Sequence, residues 1–135
     1  MSGYPTPKPA VKAARTVLAA RFTPVQFGTK IPNSRPQKFG RVSRAGGGLR
    51  SLVTDSARIL VELWVNQSYP GGAVGEVEQF CCDAIAALQN AQGTFVDGVF
   101  IRGFTNIDGP VDFPDPDVTD MERWQFQGDW LVSTS

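Results

Sequence analysis

Between Ala57 and Val65 the side chains alternate: Ile59, Val61, Leu63 and Val65 point one way, and Arg58, Leu60, Glu62 and Trp64 the other. A period of two is the spacing of a β-strand, whose successive side chains leave opposite faces. Four branched aliphatic residues on one side require a sheet with one fully buried face, and the mixed set behind them predicts a second face that is only partly covered. A chain of 135 residues can bury a real core but is too short for two ordinary domains. Residues 1–135 are therefore read as a single domain organised around this strand.

The other elements follow from punctuation and period. Pro5, Pro7 and Pro9 keep residues 1–8 extended, and a stripe of Val11, Ala14, Leu18 and Phe22 then predicts a helix over about Pro9 to Phe22, with Lys12, Arg15 and Thr16 on its other side. Residues 23–37, with Pro24, Pro32 and Pro36, show no periodicity and read as a long loop or arm. Lys38 to Arg44 alternates as a short strand with Phe39 among its packing residues, and Gly46, Gly47 and Gly48 predict a flexible hairpin tip before the central strand. Pro70, Gly71 and Gly72 mark a turn. Val77, Phe80, Cys81, Ala84, Ile85 and Leu88 then recur at helical spacing, predicting a helix over about Ala73 to Ala91 that Gly93 ends. Phe95 to Arg102 has strand character, an acidic proline-rich loop follows from Asn106 to Glu122, and Arg123 to Ser133 forms a last strand with Trp124, Phe126, Trp130 and Val132 on one side. The expected fold class is α+β: a small, mostly antiparallel four-stranded sheet packed with two helices, in the order α-β-β-α-β-β.

Charge is divided along this order. Residues 1–54 carry ten Lys and Arg and no Asp or Glu, while the remainder carries three basic and thirteen acidic residues, so a net charge of zero hides +10 joined to −10. Three partners suit such a chain: nucleic acid on the basic half, the acidic half of another copy, or the acidic half of the same copy after folding.

Several functions are disfavoured by residue type. There is no histidine, which removes Ser-His and Cys-His nucleophiles, the metalloprotease helix motif and most zinc sites. Cys81 lies on the apolar stripe of the second helix and Cys82 on its flank, so the first reads as a small core residue rather than a nucleophile, and a reducing compartment is the simplest setting. The glycine run lacks the Lys-Ser/Thr ending of a nucleotide loop. Pro114 and Pro116 interrupt the Asp108, Asp112, Asp115, Asp117, Asp120 cluster, which also lacks the turn glycine and closing glutamate of a calcium loop. No cofactor, metal or catalytic residue is assigned, and the chain is not expected to be an enzyme. No apolar run approaches a membrane span, so no membrane partner is expected. The basic N-terminus superficially suits a presequence, but Arg15 and Arg21 break the apolar stretch around Val17.

The run Arg41-Val-Ser-Arg-Ala-Gly-Gly-Gly-Leu-Arg-Ser-Leu-Val-Thr-Asp-Ser-Ala-Arg-Ile-Leu-Val-Glu-Leu-Trp64, the helix after Gly75, and Phe113-Pro-Asp-Pro-Asp117 followed by Arg123-Trp-Gln-Phe126 together resemble the tail terminator (tail completion) proteins of long-tailed bacteriophages, particularly those infecting actinobacteria. The resemblance spans about residues 38 to 132 and rests on structural residues, with no catalytic signature; the proline-rich segment before Lys38 is less typical of that family. It implies a structural virion protein that forms a ring, usually of six copies, at the head-proximal end of the tail tube after assembly in the host cytoplasm. Its partners would be itself, the tail tube protein, the head completion or neck proteins, and genomic DNA passing through the lumen without sequence-specific binding.

A ring closed by heterologous contacts sets one patch against a different patch on the neighbour, and separated charges can supply both. The expected interface pairs Arg41, Arg44 and Arg50 around the glycine run with Asp112, Asp115, Asp117 and Asp120 of the next copy, setting register while apolar surface holds the ring. Charge reversal of Arg44 and Arg50 is then expected to weaken assembly without unfolding the subunit. Trp64, Trp124 and Trp130 read as core residues first and interface anchors second. The alternatives are a neck or head completion connector, a tail tube subunit, or a nucleic-acid-binding module using the basic first helix and arm.

Overall fold

The computed structural model describes residues 7–51 and 53–134. The elements run α1 (Ala10–Arg21), β1 (Gln26–Phe27), β2 (Lys38–Leu49), β3 (Thr54–Asn66), α2 (Ala73–Asn90), β4 (Phe95–Val96), β5 (Val99–Asp112) and β6 (Met121–Ser133). They form one six-stranded sheet in the order β1-β2-β3-β6-β5-β4, with β1 parallel to β2 and the remaining pairs antiparallel. The expected extended segment over residues 1–8 falls mostly outside the described residues.

The sheet corrects the expected architecture. It is six-stranded, mixed and curled into a half-barrel, not four-stranded and mostly antiparallel, although the succession of long elements is similar. The two added strands have two residues each, too short to leave a periodic trace in sequence. β1 arises inside the segment read as a loop, because Gln26 and Phe27 dock beside Phe39 and Gly40. Gly40 permits that approach, since a side chain there would overlap the Phe27 ring. The curl follows from a bulge between Arg44 and Gly46 in β2 and three register shifts in β5, each of which bends and twists a strand.

The hairpin tip also differs. Gly46, Gly47 and Gly48 lie inside β2 opposite Arg58, Ala57 and Ser56, and the chain reverses around Arg50 and Ser51, whose N–H groups both reach the Thr54 carbonyl at 2.8 and 3.1 Å. Gly47 sits at φ +82° against the Ser56 carbonyl, where no side chain fits. Leu52 lies outside the described residues. Most of the predicted acidic loop is strand: β5 continues to Asp112, leaving residues 113–120 as the connection.

The helices match the periodic signal closely and cover the inner face of the sheet. Leu18 of α1 and Val77, Phe80, Cys81, Ala84 and Leu88 of α2 pack with Ile59, Val61, Leu63 and Val65 of β3 and Phe126, Trp130 and Val132 of β6. Trp130 also donates its indole N–H across the core to the Ala10 carbonyl at 3.0 Å, fixing the start of α1 on β6. A smaller cluster of Phe39, Trp64, Val118 and Met121, with Ile31, forms on the outer face. Elsewhere that face carries no helix, and Leu60 and Arg58 are only half-buried.

Candidate subunit interface

β2 carries Arg41 and Arg44, both of which the fold uses internally, and Arg50 follows it in the turn. In the β2–β3 register Arg41 stands opposite Glu62. Its guanidinium approaches the Glu62 carboxylate at 2.6 Å, and Arg123 of β6 holds the other oxygen at 2.9 Å. Glu62 is 3 % exposed, so a full negative charge is buried between two guanidinium groups, an arrangement that requires both its charge and its lone pairs to be met. Arg123 extends the clamp to the following loop by donating to the Phe113 carbonyl at 2.8 Å and lying over the Trp64 and Phe113 rings. Arg44 reaches the buried Asp55 carboxylate at 3.1 Å. Arg50 is exposed at the hairpin turn and has no ion pair among the described residues.

The acidic set divides in the same way. Asp120 pairs with Arg35 at 3.3 Å. Asp115 lies 3.8 Å from Arg123 and accepts the Asp117 N–H at 2.9 Å. Asp112 and Asp117 are exposed and have no ion pair among the described residues. Asn66, at one end of β3, faces Met121, and Thr54, at the other, faces Ser133. The acidic loop before Met121 and the Arg50 turn before Thr54 therefore occupy opposite ends of the sheet, about 40 Å apart along a 13-residue strand. They do not meet within one subunit.

Folding within one copy neutralises part of the charge split. Arg35, Lys38, Arg41 and Arg44 from the basic half pair with Asp120, Glu76, Glu62 and Asp55 from the acidic half. Lys8, Lys12, Arg15, Arg21, Lys30 and Arg50 have no ion pair among the described residues, nor do Glu78, Asp83, Asp97, Asp112, Asp117 and Glu122. On the outer face Arg58 closes a further network, reaching Asp108 at 2.6 Å, Asp129 at 3.2 Å and the Asn106 carbonyl at 2.7 Å. It ties the irregular part of β5 to β3 across β6. The Asn106 amide, ahead of Arg58, holds the Asp129 carboxyl below the usual carboxylate range.

Three features were not identified in the sequence. Glu62 interrupts an apolar run, and its place on the outer face beside Trp64 was legible, but its two arginine partners depend on the β2–β3–β6 register. Phe95, at 73 % exposure, is an aromatic side chain left in solvent on an edge strand. A cleft of about 600 Å³ opens beside β1, lined by Arg21, Phe22, Pro24, Val25, Pro36 and Tyr69 among others. Of the tryptophans, Trp130 and Trp64 are buried and Trp124 is partly so. The Trp64 and Trp124 indole N–H groups have no acceptor among the described residues. Burial pushes the Cys81 thiol up to about 12, so it stays protonated at neutral pH, whereas Cys82 is exposed. No helix among the described residues is long and apolar enough to cross a membrane.

Comparison with known protein families and with curated proteins finds no match for this chain.

Proposed function

We propose that this protein is a structural ring subunit of a long-tailed bacteriophage tail, acting as the terminator at the head-proximal end of the tail tube and offering a surface for head joining. The observation that carries this reading is the placement of the charges left over after folding: Arg50 and the Asp112 and Asp117 carboxylates sit at opposite ends of the curled sheet. Separated patches of opposite sign are what a head-to-tail contact uses, and head-to-tail contacts close into rings when the rotation permits. The resemblance of residues 38 to 132 to tail terminators supplies the identity of the ring, its six copies, and its tube and neck partners. Mass measurement across salt and concentration, with negative-stain images, tests the reading. Closed rings, alone or on tube ends, are the expected result, and open-ended polymers point instead to a tube subunit.

One observation favours a second reading. Lys12 and Arg15 of α1, with Lys8 two residues ahead of the helix, have no ion pair among the described residues, a basic group able to contact phosphates. A persistent monomer that binds DNA in a strongly salt-dependent way would establish the nucleic-acid module and exclude the ring.

A further inference from the structure

The two edges of the sheet end differently. At one edge the β4–β5 hairpin presents Phe95, 73 % exposed, on the Phe100 ring at 5.1 Å between centroids. The hairpin is held firmly: Asp97 and Gly98 make its turn at positive φ, the Thr16 hydroxyl of α1 donates to the Asp97 carboxylate at 2.6 Å, and at its base the Gly93 N–H donates to the Ile101 carbonyl at 2.8 Å and the Ile101 N–H to the Thr94 carbonyl at 2.9 Å. At the opposite edge lies the cleft, with Phe22, Pro24, Val25, Pro36 and Tyr69 as its apolar walls. Phe22 is itself braced by Phe80 at 4.9 Å.

We infer that Phe95 of one copy seats in this cleft on the next copy, so that the β4 edge of each subunit docks on the β1 edge of its neighbour. Knob and cleft belong to the two edge strands of the same sheet, and within one chain Phe95 is left in solvent, yet every copy offers both. The charges agree. Arg21 is the charged residue lining the cleft that has no ion pair, Lys38 being held by Glu76, while the β4–β5 edge exposes Asp97 and Asp112 without ion pairs against Arg102. A rigidly presented aromatic side chain loses little freedom on docking, which favours an anchor at the centre of an interface. This inference rests on the ring reading and names its contact.

The test uses the full chain with a photoreactive benzoylphenylalanine at position 95, irradiated where the protein assembles. Cross-links are expected to peptides containing residues 21–26, 36–38 or 69 of a second chain. Phe95→Ala and Val25→Glu should each keep the wild-type circular dichroism while raising the concentration needed for assembly by about tenfold or more, the effect of losing a buried aromatic anchor. Mixed together, the two variants retain one intact contact per pair and should yield heterodimers but no rings. Rings that form normally from either variant, or cross-links from 95 to 95 or to other surfaces, overturn the Phe95 contact and leave the ring reading standing. A wild-type protein that stays monomeric at every concentration, with tail tube ends present as well as absent, overturns both, and a small molecule recovered in the cleft of assembled rings overturns the contact alone.

Discussion

Arg44→Met separates folding from assembly at the expected interface. Asp55 has a side-chain exposure of 2 % and Arg44 of 39 %, with the nitrogen and oxygen 3.1 Å apart. Removing one partner of a fully buried pair costs about 3–5 kcal/mol, because the other charge is left without compensation. Water reaches the arginine side of this pair, so the expected loss is about 2–3 kcal/mol for Arg44→Met. Arg44→Glu adds about 1 kcal/mol of repulsion against Asp55. At about 3 °C per kcal/mol for a chain of this length, Arg44→Met should lower the midpoint of thermal unfolding by about 6–9 °C and Arg44→Glu by about 9–12 °C. Arg50→Glu, at an exposed turn residue without an ion pair, should stay within about 0.5 kcal/mol of wild type. Circular dichroism melts on the three variants measure this, and Asp55→Asn in the Arg44→Met background should recover at least half of the loss by removing the stranded charge. If Arg44→Met melts within about 1 °C of wild type, the pair does not stabilise the subunit and the reasoning fails. Where the melts follow expectation, only the Arg50 variant reports cleanly on assembly, in contrast to the joint charge reversal expected from sequence.

Other expectations follow from individual contacts. Gly128→Ala drives a methyl group into the Phe104 ring and should cost about 1–3 kcal/mol by overpacking; urea unfolding should show Phe104→Leu partly rescuing it, and additive losses would disprove the clash. Trp130→Phe removes the indole bond to Ala10 and some core volume, for an expected loss of about 2 kcal/mol by the same assay. Titration with a thiol reagent at pH 8 should modify Cys82 alone in the native protein and both cysteines in denaturant, since the Cys81 thiol is buried and shifted to about 12. The Asp129 carboxyl is lowered, first by Asn106, so its contribution is fully present above the ordinary carboxylate range and is lost as pH falls through the lowered value. Asn106→Gly keeps the positive φ and removes the amide; the stability gap to wild type should be widest near pH 6 and shrink toward pH 2, and a gap independent of pH would show that the amide does not act through Asp129.

Where side-chain period was strong, the elements were legible. Both helices and the long strands β3 and β6 lie within a few residues of their expected limits, because stripes at 3.6 and 2.0 residues are local consequences of burying one face. Boundaries slipped where no stripe exists. The glycine run reads equally well as a tip or as a bulged strand, and only pairing with Ser56, Ala57 and Arg58 decides. β5 runs through Asn106, Gly109 and Pro110, residues that signal turns, because the Arg58 network holds that irregular strand in place.

For the candidate site, sequence determined which charges exist and that they divide at residue 54. It also placed alternating residues on opposite faces of β3, since side-chain direction is a property of the local backbone. Tertiary structure alone decided which charges remain available. Arg41 and Arg44 are bound to Glu62 and Asp55, whereas Arg50, Asp112 and Asp117 are left in solvent. It also set Phe95 and the cleft on opposite edges of one sheet. Ion pairing and edge position depend on strand order and register between segments distant in the chain. They are fixed by the burial of both sheet faces together, not by any residue's neighbours in sequence.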